Sequence, residues 1–141
     1  MDELYSYILA RLEQVAGLNL IDIDWGQLDS VSEDLSYPVF FPCALVDVVD
    51  IPWLRSGTAL QPGEATVRIK IGIQMTDDTN SGSGTQAKAL ARLGIVKEVH
   101  DCVNLYAAGK FSKLIRLRTQ IYNVPGGVKV VQVDYTTDVV D

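Results

Sequence analysis

One histidine and two cysteines are all the chain has in the way of nitrogen and thiolate ligands for zinc. A structural zinc site takes about four ligands, and His100 with the widely separated Cys43 and Cys102 falls short of one. Both cysteines lie inside apolar runs, which predicts buried free thiols rather than a disulfide or a metal pair. Basic residues are also scarce. Twelve Lys and Arg against 18 Asp and Glu leave a net charge of −6, whereas a general nucleic-acid binder carries a basic surplus. No apolar run approaches the roughly 18 residues of a membrane span. The opening MDELYSYILARLEQVAG places acids where a secretory signal would be basic, and Glu13 interrupts its apolar positions. Neither G-x-S-x-G nor H-E-x-x-H occurs. These absences predict a soluble, intracellularly made protein, with no cofactor, no bound metal, no membrane partner and no sequence-specific nucleic-acid partner.

What is present suits a folded α+β domain. Apolar residues are 48% and charged residues 21% of 141, enough to build a core over 1–141 as a single domain. Leu4, Ile8, Leu12 and Val15 recur at helical steps, with Asp2 and Glu3 in the first turn and Gly17 as the stop, so 2–16 is predicted to be a helix. LNLIDIDW (18–25) alternates as a short strand, and GQLDSVSEDLSYP (26–38) reads as a loop. VFFPCALVDVVDI (39–51) reads as a buried strand, with Pro42 confined to its start or to an edge.

ATVRIKIGIQM (65–75) sets Val67, Ile69, Ile71, Ile73 and Met75 against Arg68, Lys70 and Gln74. That is the pattern of an antiparallel strand with one wet face. A second helix is predicted over 85–107, its stripe made by Ala87, Ala91, Ile95, Val99, Cys102, Val103 and Tyr106. Gly94 within it points to a close approach of helix to sheet. KLIRLRTQIYN and VKVVQVDYTT, joined by VPGG, read as a hairpin. Ile115, Leu117, Thr119 and Ile121 are expected to share one face with Val131, Val133 and Tyr135. The expected architecture is an antiparallel sheet of about four strands with two helices on one face.

Three constellations bear on chemistry. Gly82, Gly84 and Ala87 in IKIGIQMTDDTNSGSGTQAKALARLGIV fit a loosened G-x-G-x-x-G/A. The preceding strand has a wet face, however, and six residues separate it from Gly82. Asp77 and Asp78 would repel a phosphate, and no G-K-[ST] is present, so the stretch reads as a loop capped by Thr85 or Ser83. DIDW (22–25) offers two carboxylates without further ligands and reads as a solvated strand edge. His100 is expected on the polar side of its helix. What remains is surface: Arg68, Lys70, Arg116 and Arg118 all fall on non-core strand positions. Two readings stand, a solvated face balanced by Asp134 and its neighbours, or a contact with another subunit. Asp77 and Asp78 are further candidates for such contacts.

The order of elements, the YPVFFPCALVDV strand with its aromatic–proline pair and the closing VKVVQVDYTT together resemble the tail terminator (tail-completion) and related head–tail joining proteins of long-tailed bacteriophages and prophages. The similarity spans nearly the whole chain. The resemblance implies a non-enzymatic structural protein of the virion tail, made in the bacterial host cytoplasm and without a cofactor. It also implies a hexameric ring that ends tail-tube growth, meets tail-tube and head-connector proteins, and lets DNA pass through its pore. A non-phage α+β binding or adaptor domain and a small enzyme built around DIDW or the glycine-rich loop are the competing classes.

Overall fold

The pleat of one long strand organises the molecule. The computed structural model describes residues 1–29, 32–34, 36–75, 86–104 and 111–141. In chain order these form α1 (Asp2–Leu12), β1 (Leu20–Ile23), β2 (Cys43–Asp50), β3 (Pro62–Gln74), α2 (Gln86–Leu93), α3 (Ile95–Val103), β4 (Ile115–Val124) and β5 (Val128–Val140). The five strands make one sheet in the order β1-β2-β3-β5-β4. β3 sits at its centre, antiparallel to both β2 and β5.

The alternation of β3 turns Ala65, Val67, Ile69, Ile71 and Ile73 to one face. There they meet Leu4, Ile8 and Leu12 of α1, Ile95, Val99 and Val103 of α3, and Val131, Val133 and Tyr135 of β5 in one buried cluster. α1 carries acids in its first turn and Arg11 in its last, as its dipole favours. The Arg11 guanidinium donates two hydrogen bonds, of 3.2 and 3.1 Å, to the Cys102 carbonyl of α3, joining the ends of the two helices. At the VPGG turn, Gly126 and Gly127 adopt φ of 89° and 72°, which a side chain would resist.

The architecture is α+β as the sequence indicates, with differences that each have a local cause. The sheet has five strands and is mixed, because LIDI pairs parallel to β2. A parallel pair needs a long crossover, and the 24–42 segment supplies it. α1 ends at Leu12, short of 16, although Val15 still packs in the core. The second helix is interrupted at Gly94. The jog there shifts the phase of α2, so Ala89 is buried while Ala87 and Ala91 stay exposed. A methyl on Gly94 would lie 3.1 Å from the Ala91 carbonyl oxygen. The glycine therefore relieves the helix's own backbone rather than a contact with the sheet. Thr85, Tyr106 and the glycine-rich stretch lie outside the described residues, as do Asp77 and Asp78.

Val99 is 1% exposed at the centre of the helix–sheet contact. Val99→Asp would bury an unpaired charge at a cost of several kcal/mol, against a total stability on the order of 5–15 kcal/mol. The variant is expected to be unfolded at room temperature by circular dichroism. A soluble variant with an unchanged melting temperature would disprove this packing.

Candidate functional site

The second face of β3 carries Arg68 and Lys70 in the middle of the sheet, where bare cations are costly. The crossover answers Lys70. After β1 the chain turns at Gly26, with φ of 100°, and runs beneath the sheet. Leu28, Tyr37, Val39 and Phe41 pack there on Cys43, Leu45, Val128 and Val130. Gly72 makes room: a Cβ on it would come within 2.8 Å of the Cys43 sulfur. Burial pushes the Cys43 thiol pKa up to about 11, so it stays protonated and inert. The Tyr37 hydroxyl donates to the Pro125 carbonyl at 2.7 Å and anchors the crossover to the hairpin turn.

This path brings Asp24 to 3.2 Å and Asp29 to 3.3 Å from the Lys70 ammonium, with the Lys70 and Asp24 side chains largely buried. Burial alone would lower the Lys70 pKa, but the Asp24 charge and hydrogen bond prevail and hold it above its ordinary value. Arg68 lies directly across from Asp134 on β5 and binds it through two hydrogen bonds of 2.9 and 3.3 Å. Arg118 reaches the same carboxylate at 3.9 Å and also donates to Gln120 at 3.1 Å. Asp134 thus supplies negative charge to this face as the sequence suggests, and Asp24 and Asp29, which the sequence does not place there, also serve it. They were hidden because a strand-edge alternation does not reveal that the chain next folds beneath its own sheet.

Arg116 does not join the other three. A bulge between Arg116 and Arg118 leaves Leu117 unpaired and shifts the register. Arg116 thus stands opposite Tyr135 on the helix face, while Arg118 stands opposite Asp134. The same bulge separates Ile115, paired with Thr136, from Thr119 and Ile121, paired with Val133 and Val131. His100 also departs from expectation. It is half-buried, its ring stacked on Tyr135 at 5.8 Å, with Nδ1 3.0 Å from the Tyr135 hydroxyl.

What the arrangement offers is a surface for contact. β4 closes one end of the sheet order. Its Ile115, Leu117 and Ile121 are 59%, 58% and 63% exposed, with Arg116 and Arg118 between them. An exposed, ten-residue edge strand that carries three exposed apolar side chains invites pairing with another chain. Among the described residues no group of His, Cys, Asp and Glu could hold a metal ion. DIDW is occupied by its own turn. Asp22 accepts from the Ile23 N–H and from Gln27, and Asp24 accepts from the Gly26 N–H besides binding Lys70. No described helix is long and apolar enough to cross a membrane.

Two outcomes follow from this geometry. Asp24→Asn leaves the buried Lys70 with only the exposed Asp29 and should destabilise the fold by about 3 kcal/mol, whereas Arg118→Gln, at an exposed site, should cost less than about 1 kcal/mol. Equal losses in chemical denaturation would contradict the burial. Burial, reinforced by the charge of Arg116, depresses the His100 pKa below its ordinary 6.5, with Asp101 opposing. The folded state therefore favours neutral histidine. Its contribution is full above the unfolded value and is lost as pH falls toward the folded one. The melting temperature should drop below about pH 6.5, and His100→Gln should remove that part of the drop.

No protein-family model matches the chain, and no curated protein matches it significantly. Among solved structures, the fold is similar to a chain from the virion of a native gene transfer agent particle. The TM-score is 0.57 at 13% identity, over 98% of this chain and 95% of that one.

Proposed function

We propose that the protein is a structural subunit of a phage-like virion, acting as a tail terminator: a six-copy ring that ends tail-tube assembly and joins tail to head. The likeness to a virion chain over nearly the whole of both proteins carries this reading, alongside the resemblance borne by YPVFFPCALVDV and VKVVQVDYTT. The surface supports it. A chain whose described residues leave a long edge strand with exposed apolar side chains, and form no metal-ligating cluster, is suited to assembly. In this reading other copies, the tail tube and the head connector are the partners. Six copies at −6 each would repel DNA from the wall of a pore.

Of the four cations singled out in the sequence, Arg68 and Lys70 are largely covered ties within the chain, while Arg116 and Arg118 are exposed, Arg118 despite its long pairing with Asp134, and in this reading these two bear the intermolecular contact. Asp77 and Asp78 remain candidates for contact with the tail partner. The purified protein is expected to form rings in electron micrographs, with the corresponding mass in solution. Particles produced without the gene should carry tails of uncontrolled length, because nothing caps the tube. Arg116→Gln with Arg118→Gln should keep the wild-type melting temperature within about 2 °C while abolishing the rings. Normal tails in the absence of the gene would refute the tail-end role, and normal rings from the double variant would refute the role of these arginines.

A further inference from the structure

The two edges of the sheet differ in a way that specifies a partner. Between 18 and 54 the sequence has no lysine or arginine, and between 102 and 133 it has no aspartate or glutamate. The first stretch builds β1, the crossover and β2; the second builds β4. The sheet order sets these at opposite ends. The acidic edge also exposes apolar side chains: Ile23, Trp25, which is 66% exposed, and Val49, with Asp50 exposed beside it. The basic edge exposes Leu117 and Ile121 beside Arg116.

We propose that the β4 edge of one copy docks on the acidic β1–β2 edge of a second copy, a head-to-tail contact repeated around the assembly. The inference rests on the self-assembly read above and says which surfaces meet. Charge complementarity selects the occupant. A two-fold contact of β4 with β4 would set Arg116 and Arg118 against their own copies, and like charges directly opposed destabilise such pairs. The acidic edge offers the opposite sign with its own apolar residues. Because the two surfaces are different, the contact is heterologous, and each copy keeps one free edge until a ring closes.

The contact is made by side chains and does not continue the sheet. The outward backbone groups of Ile23, at the end of β1, are already used: its N–H donates to Asp22 Oδ1 at 2.8 Å, and its carbonyl accepts from Gln27 Nε2 at 3.0 Å. Further along the same edge, the Val48 N–H donates to the Tyr5 hydroxyl at 2.9 Å. These bonds interrupt the acidic edge as a template for strand addition, so the apolar residues and charges around it make the joint.

Two variants test this, each spoiling one edge through exposed positions: Leu117→Asp with Arg116→Glu, and Trp25→Ser with Asp50→Lys. Melting curves confirm that each is folded; if either is not, the single changes Arg116→Glu and Asp50→Lys replace them. Analytical ultracentrifugation should show the wild type as an oligomer that weakens as salt rises from about 0.1 M to about 1 M. Each variant alone should be monomeric. Their equimolar mixture should give a dimer of one copy each, because one intact edge of each kind remains. Self-association of the Trp25→Ser, Asp50→Lys variant as strong as wild type would overturn the proposal in favour of a two-fold contact. A monomeric mixture of folded variants would overturn it, as would a wild type that stays monomeric at every concentration. Rings that persist in both variants refute this contact and leave the tail-end role standing. Normal tails without the gene refute that role and leave the edge contact measured.

Discussion

The central constraint is the pleat of β3. Thirteen residues are hydrogen-bonded on one side to β2 and on the other, over their full length, to β5. Each side chain is thereby committed to one face, and a slip of one residue would exchange the faces entirely. One row is apolar and seats the helices. The other places Arg68 and Lys70 at the middle of the sheet, two strands from either end. Cations there must be met by anions that come to them. Asp134 does so from the neighbouring strand, and Asp24 with Asp29 from the crossover. Such pairs add little net stability compared with a well-packed apolar face, yet breaking one is costly. Their effect is on path: the crossover has to pass where its carboxylates reach Lys70, and its apolar residues then cover the lower half of the sheet.

The parts of this fold that depend on period alone are legible in the sequence. The alternation of 65–75 names the core row of β3 correctly, and the stripe of α1 and the VPGG turn are likewise plain. What escapes is whatever depends on a neighbour. Nothing in LIDI says that its partner is parallel, because side chains alternate identically in both senses. The β4 bulge is invisible for a similar reason. IRLRTQI alternates as well with Leu117 counted as without it, and only pairing with β5 shows one residue too many. That single residue moves Arg116 to the helix face and divides a cationic row that the sequence presents as continuous. His100 is similar. Its flanking residues suggest a wet helix face, but Tyr135, 35 residues away, holds the ring half-buried beside the core.

The candidate surface was half legible. Arg116 and Arg118 stand out in the sequence as charges without local acids, and the structure leaves both exposed. Arg68 and Lys70 look the same in the sequence but are internal ties. The distinction lies in strand order. β3 has neighbours on both sides and a segment beneath it, while among the described residues β4 pairs on one side only. An identical residue is structural at the centre of a sheet and available at its end.

Edges present a common problem, and this chain solves it differently at its two ends. An unpaired strand is a template for unwanted association, and proteins blunt it with short length, bulges or charge. β1 is four residues long, and Asp22 and Gln27 occupy the outer backbone groups of Ile23 at its end. β4 has ten residues and only its bulge and its cations for protection. Its arginines would discourage stacking on another β4, yet they would attract an acidic surface, and the opposite end of the same molecule is acidic. In the proposed head-to-tail contact, protection and specificity would be one device: the charge that keeps like edges apart would also select the unlike edge.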